Sequence, residues 1–444
     1  MADNIGRRAT VTRTGKTTPK PKRLSRRTVL KGAAATAGLA AGSGAIRGFP
    51  TIWAQNLQDV TLVHTGQSYS TIIDIARQAS EDLGFTVEMA VTDHAGLINR
   101  VTTQPDSVDV ADAEVWQTAL IAPRGVWQGI DVRRIDLWDQ VTPIYTKGTF
   151  EEKEISRQGI SPYEVMYLAD KEATEFHDGP TEWATLLPGV YNADTLGIRP
   201  DLIGRPVESW AELVNPEFAG KAALQDIPSI GIMDAAMAFE AAGEITYADK
   251  GNMTREEIDA TIAMLIELKR AGHWRALWST FDQSVNLMAS GEVVIQSMWS
   301  PAVTAVRARG IDVKYQPLGE GFRGWGNGLA LMRHLDGIKL DAAYEYLNWY
   351  ISGWVGGFIA KQGYYISVPE LAKAHLTPNE WGYWYEGKAA TEPITDPYGT
   401  ETDAVGAVRD GGSYVDRFSK IAVWNTVMDE STYMLRKWNE FKAA

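Results

Sequence analysis

Cysteine is absent from the chain, which excludes disulfides, thiol nucleophiles, iron–sulfur clusters and cysteine-ligated zinc. Histidine is scarce. The six (His64, His94, His177, His273, His334 and His375) are scattered, with no pair at ligand spacing and no His-Glu-x-x-His run, so they do not point to a metal. There is no Gly-x-Ser-x-Gly elbow of the kind that presents a nucleophilic serine. Gly324-Trp325-Gly326-Asn327-Gly328 has the glycines of a dinucleotide loop but not the strand–loop–helix unit around it that would give them a phosphate to cradle. Beyond residue 54 no long apolar run occurs, so no membrane-crossing helix is expected.

The basic residues are unevenly placed. Residues 1–54 carry eleven Lys/Arg and one acid, Asp3. Within them Ser25-Arg26-Arg27-Thr28-Val29-Leu30-Lys31 leads into a weakly apolar Ala/Gly stretch, Gly32 to Ala45, and then Phe49 to Ala54. That order of basic, apolar and small-residue regions reads as a secretory signal of the twin-arginine type, cleaved near Ala54. Export would bring in the Tat translocase as a transient partner and place the mature protein in the periplasm. Without this segment the totals of 43 Lys/Arg and 56 Asp/Glu fall to 32 and 55, and the net charge moves from −13 to −23. So acidic a surface argues against nucleic acid or an anionic membrane as partner.

About 390 residues remain, more than the roughly 250–300 that one hydrophobic core serves, so two lobes are expected. Val60–His64, Phe85–Val91 and Val108–Ala113 read as strands, separated by helical segments at Ile72–Ala79 and Leu97–Thr103. That alternation specifies an α/β fold with a parallel sheet. Thr254 and Glu257 form a capping box ahead of the apolar stripe Ile258, Ile262, Leu265 and Ile266. Val293–Met298 reads as a strand, and Pro301–Arg309, Leu340–Ile359 and Val423–Phe441 as helices. With no repeat and no low-complexity linker, the lobes must be interwoven.

The chain is rich in Trp (16) and Tyr (17). Trp210, Trp349 and Trp438 are at positions typical of core filler. Tyr69, Trp116 and Trp299 follow strand ends, where open α/β sheets bind ligands, and Trp325 sits in a Gly-rich turn. Aromatic walls of this kind suit a sugar, an amine or an apolar body. Tyr364-Tyr365 also offers paired phenols for ferric iron, although no His or carboxylate lies beside them in sequence. Asp93-His94 reads as a solvated loop pair.

Three blocks resemble a known family. They are Ser209-Trp210-Ala211-Glu212-Leu213…Pro216-Glu217-Phe218-Ala219-Gly220-Lys221, then Met288-Ala289-Ser290-Gly291-Glu292-Val293 with Trp299, then Trp325-Gly326-Asn327-Gly328-Leu329-Ala330 with Gly363-Tyr364. Their order and spacing are similar to the family 1 extracellular solute-binding proteins of ABC importers, in the spermidine/putrescine-binding branch. The resemblance spans about residues 58–370. It implies a two-lobed type II periplasmic binding protein fold whose lobes are joined by two crossover strands, near Leu187–Asp194 and Tyr315–Trp325. The lobes would be 55–188 with 326–444, and 189–325. It also implies a monomer that binds a small molecule without cofactor or catalysis and delivers it to an inner-membrane permease.

Carried over by position, the family's ligand contacts fall on Tyr69, Trp116, Trp299, Trp325, Asn327 and Tyr364, with Gln67, Asp226 and Asn425 joining them. This chain departs from the family's pattern in its charges. Trp-x-Asp has become Trp325-Gly326-Asn327, the acids expected after Ala222-Ala223-Leu224 are reduced to Asp226, with Ile227 and Ile230 at the other positions, and the first-strand aromatic is Gly66. Glu114 stands where a small polar residue is usual. An unpaired buried ammonium is very costly, so these losses favour a ligand with one cationic centre, or a neutral polar one, with Glu114 or Asp112 as counter-charge. On this reading Asn327→Asp would improve diamine binding. The rivals are a Tat-exported enzyme with a bound cofactor and, among binders, a sugar- or ferric-iron-binding protein.

Overall fold

The computed structural model describes residues 57–444, so the segment expected to be an export signal lies outside the described residues. Strand β1 (Thr61–Gly66), helix α1 (Ile73–Leu83), β2 (Thr86–Val91), α2 (His94–Thr103), β3 (Val110–Glu114) and α3 (Val115–Ile121) open the fold. β1 lies between β2 and β3 and is parallel to both, the arrangement that the strand–helix alternation specifies. The long strand β4 (Leu187–Ile198) follows an irregular stretch. Next come β5 (Ala222–Gln225), α4 (Pro228–Ala241), α5 (Arg255–Arg270), β6 (Trp274–Trp278), α6 (Phe281–Ser290), β7 (Ile295–Met298) and α7 (Ser300–Arg307). The chain returns along β8 (Phe322–Met332) to α8 (Gly337–Tyr350) and α9 (Trp354–Ala360), and ends with β9 (Ile421–Trp424) and α10 (Ser431–Ala443).

The main sheet runs β6-β5-β7-β4-β8-β3-β1-β2. Its two middle strands carry the chain between lobes. From Leu187 to Asp194, β4 pairs antiparallel with β8; from Thr195 to Ile198 it pairs antiparallel with β7. The change of partner therefore falls at Asp194–Thr195, beyond the boundary expected at 188–189. β8 begins at Phe322 and its Arg323 is opposite Asp194. All twelve residues of β4 are buried. One apolar core gathers around β1–β3 and α8–α9, and two smaller ones lie on either side of β5–β7.

Three local expectations need correction. The segment Leu340–Ile359 is two helices, broken at Ile351–Gly353. Gly353 has φ of 124°, a conformation that residues with a side chain rarely adopt. Val423–Phe441 is not one helix either: Ile421–Trp424 extends as β9 alongside β8, and the helix starts at Ser431. The tail stays with the first core as far as Trp424, but its end does not. Met434, Trp438 and Phe441 of α10 are buried with α4 and α5 in the second. The capping box at Thr254 and Glu257 forms with both reciprocal hydrogen bonds.

Candidate functional site

Between the lobes lies a cavity of about 400 Å³. Strand ends and helix starts supply its lining. The turn after β1 contributes Gln67, Ser68 and Tyr69; β3 ends on Glu114; β4 contributes Asp194; β8 contributes Trp325. From the second lobe come Ile227 and Ile230 at the start of α4, Ser279–Phe281 at the start of α6, and Trp299 just past β7. Val91–His94, from the end of β2 to the start of α2, and Tyr364 and Asn425 complete it. A second chamber of about 250 Å³ shares Ser68, Tyr69, Phe281 and Tyr364 as its wall.

The aromatic residues form a cluster. Tyr69 meets Trp325 edge-on at 4.9 Å and Tyr364 at 5.7 Å, and Trp325 meets Tyr364 at 5.6 Å. Across the cleft Trp299 is half-buried and stands edge-on to Trp278 at 5.0 Å. Burial, and then the nearby carboxylates, push both tyrosine hydroxyls well above their ordinary pKa, so Tyr69 and Tyr364 are neutral hydrogen-bonding walls. Both amide atoms of Gln67, a buried side chain, are without a partner among the described residues. A buried polar group of this kind is costly unless a ligand or water meets it.

Charge enters at two places. Glu114 Oε1 accepts hydrogen bonds from His94 Nε2 at 2.9 Å and Tyr69 Oη at 3.2 Å, and its Oε2 accepts one from Trp116 Nε1 at 2.6 Å. Burial would raise the Glu114 pKa, but the charge and hydrogen bond of His94, with Trp116 and Tyr69, hold it below the usual value. For His94 burial works downward, and Glu114 outweighs it, so the imidazole stays protonated to higher pH. The second place is Asp194. Its Oδ1 accepts from Tyr315 Oη at 2.7 Å, and its Oδ2 faces Arg323 Nη2 at 3.5 Å. Arg323 gives its shorter bonds, both 2.7 Å, to Asp234 and Asn425. Burial, only partly offset by Arg323 and Tyr315, pushes Asp194 up to about 6.

Of the ten residues singled out in the sequence, Gln67, Tyr69, Glu114, Trp299, Trp325, Tyr364 and Asn425 meet at this cavity. Three do not line it. Trp116 lies behind Glu114, bonded to it and stacked on His94 at 5.5 Å. Asn327 is buried deeper: its Nδ2 donates to Asp112 and to Ser70 Oγ, and its Oδ1 accepts from the Val190 amide at 2.6 Å. Asp226 turns to the C-terminal helix, meeting Trp438 Nε1 at 2.8 Å and Lys442 Nζ at 2.7 Å. Asp112 is likewise taken up by Asn327 and His64, which leaves it no role as counter-charge.

Gly66, where the family has an aromatic, lies so close to Asp112 and Thr71 that a Cβ would come within 2.5 and 2.6 Å of them. Sequence reasoning missed His94 and Asp194. Asp93-His94 lies at a helix start rather than in a loop: Asp93, exposed as expected, caps α2 through the Gly96 amide at 2.6 Å, and half-buried His94 reaches Glu114. The phenols of Tyr364 and Tyr365 diverge, one lining the cavity and the other bonded to the Trp384 carbonyl at 3.3 Å, so they do not converge on one ion.

Comparison with known proteins agrees with this architecture. No relative was found among curated proteins. Solved structures share the fold at low identity. The TpPotD lipoprotein of Treponema pallidum aligns with TM-score 0.60 at 10% identity, covering 86% of this chain and 99% of that one. The spermidine/putrescine substrate-binding protein PotD of Streptococcus pneumoniae gives 0.56 at 12%, covering 86% and 98%. The protein MotA of A. tumefaciens B6, solved with glucopine, gives 0.54 at 15%, covering 86% and 99%. The sequence matches the family described as bacterial extracellular solute-binding protein over residues 74–374. A two-lobed α/β fold with its cavity at the crossover strands, together with that match, makes this chain a member of the extracellular solute-binding protein family that serves ABC importers.

Proposed function

We propose that the protein is exported through the twin-arginine route, captures a small nitrogen-containing organic solute in the periplasm and hands it to an inner-membrane permease. The reading rests on one observation: a cluster of Tyr69, Trp325 and Tyr364 lines the same cavity as the carboxylates Glu114 and Asp194. Aromatic faces attract alkylated cations and also cover methylene surface. The cavity's size of about 400 Å³ suits a compact solute.

Reduced charge argues against a polyamine. Ile227 and Ile230 line the cavity where the resembling branch has acids, Asp226 is bonded elsewhere, and Glu114 already has His94 as its partner. A long polycation would leave ammonium groups without carboxylates. The lobes are read as closing on the solute by bending at the crossover strands.

Native mass spectrometry on freshly purified protein would reveal a retained ligand. Calorimetry with a monocationic betaine, putrescine, spermidine and a sugar panel would then rank the classes. The expected order places the monocation first. Sub-micromolar spermidine binding, or selective sugar binding, would refute it.

A further inference from the structure

Asp93, Glu114 and Asp194 all line the cavity; Asp93 is exposed and caps α2, while the two buried carboxylates, Glu114 and Asp194, are not equivalent. Glu114 is provided for: three donors reach its two oxygens, and one of them, His94, carries the compensating charge. Asp194 is not. Arg323 is shared between Asp194 and Asp234, and it spends its best geometry on Asp234 and Asn425. Asp234 Oδ2, fully buried, has no hydrogen-bond partner among the described residues. One guanidinium lies between two carboxylates, both pushed up by burial, so the pair would need a second cation to ionise fully, beside a cavity that also holds the amide of Gln67.

Resting on the nitrogenous-solute reading above, we propose that Asp194, on the crossover strand β4, is the carboxylate that receives the ligand's cationic nitrogen. Glu114 with His94 forms the neutral, hydrogen-bonding far end of the site. The raised pKa of Asp194 agrees with a carboxylate still lacking a counter-ion. Tyr69, Trp325 and Tyr364 line the same cavity as Asp194 and Glu114, so a ligand that reaches both carboxylates meets the aromatic cluster. This sets the ligand class: a monocationic nitrogen with a polar, uncharged group on the other side. It also explains how the site dispenses with the family's acids at 227 and 327, because the charge has moved into the connection between lobes.

The test uses the exported protein, tetramethylammonium as a permanent cation, and tert-butanol as a neutral body of similar shape, read by titration calorimetry. The parent protein should bind the cation at least about tenfold more tightly than the alcohol. Asp194→Asn should weaken the cation by about 100-fold or more, as expected when one partner of a desolvated ion pair is removed. Glu114→Gln should cost less than about tenfold.

Should Asp194→Asn fail to fold, Asn425→Asp serves in its place. It adds a third acid around Arg323 and should tighten cation binding. A larger loss in Glu114→Gln than in Asp194→Asn, or no gain in Asn425→Asp, would overturn the assignment to Asp194 while leaving the nitrogenous ligand intact. Equal binding of the alcohol and the cation would overturn the nitrogenous reading itself, and this inference with it.

Discussion

Asn327→Asp, which the family pattern suggests as the route to a diamine site, should instead unfold the protein in a pH-dependent way. The side chain is fully buried and spends both kinds of hydrogen bond: its amide group donates to Asp112 and Ser70, and its carbonyl accepts from Val190. Replacing the amide nitrogen by oxygen removes the donors and sets a second carboxylate against Asp112. Two carboxylates at hydrogen-bond distance cannot both ionise, so the pair would retain one proton with a pKa raised by roughly 2–4 units. At about 1.4 kcal/mol per unit, that costs roughly 3–5 kcal/mol at neutral pH. The folded variant would hold a proton that the unfolded chain releases near pH 4, so the loss grows as pH rises from there to the raised pKa and is constant above it. Urea unfolding followed by tryptophan fluorescence should place the variant close to the parent near pH 4 and far below it at pH 7.5. Unchanged stability at pH 7.5, or tighter putrescine binding, would show that position 327 faces the cavity after all.

Trp299→Ala should weaken ligand binding by about 1–3 kcal/mol through lost aromatic contact. Its half-buried position against Trp278 keeps the stability cost below the roughly 3–5 kcal/mol of a fully buried aromatic; thermal unfolding without ligand, beside a titration, measures both. Burial pushes Asp194 up to about 6 from an ordinary value of 3.8, so the folded state binds the extra proton. Stability should therefore decline by up to about 3 kcal/mol as pH rises through that window and stay level above it. Asp194→Asn should flatten that decline in denaturant midpoints taken from pH 4 to pH 8, and an unchanged slope would assign it to another group. Replacing Arg26 and Arg27 with Lys keeps the charge but alters the recognised pair, and the precursor should accumulate in the cytoplasm; normal processing of that variant on an immunoblot would remove the twin-arginine assignment.

Local signals carried much of the fold. The alternation of strands and helices from Val60 to Glu114, the box at Thr254 and Glu257, and the run into Trp299 each depend on neighbours a few residues apart. Aromatic residues just past strand ends marked the cavity for the same reason. Asp194 was invisible because its meaning lies in Arg323 and Asp234, remote in the chain. His94 likewise depends on Glu114, twenty residues on. Asn327 misled because Trp325 and Asn327 share a face of β8 by the two-residue period, yet the cavity ends at Trp325, and the next side chain along that face is covered by Asp112 and Ser70. The tail was misread where β9 takes its extended form from pairing with β8, a contact that helical periodicity does not report.

That tail adds a mechanical constraint. Two strands joining two bodies define a line about which they can turn. Here a third connection exists: Trp424 is buried with the first core, and Val423, Met428 and α10 with the second. Since β9 runs parallel to the start of β8, this third tie lies beside the second and nearly along the same line. If the lobes close on a solute as proposed, such a hinge would work like a door hung on three knuckles: it could swing, but sideways sliding and twisting of one lobe against the other would be resisted. Each swing would then return Trp299 to the same place opposite Tyr69 and Trp325, and the geometry that meets the solute would repeat from one capture to the next.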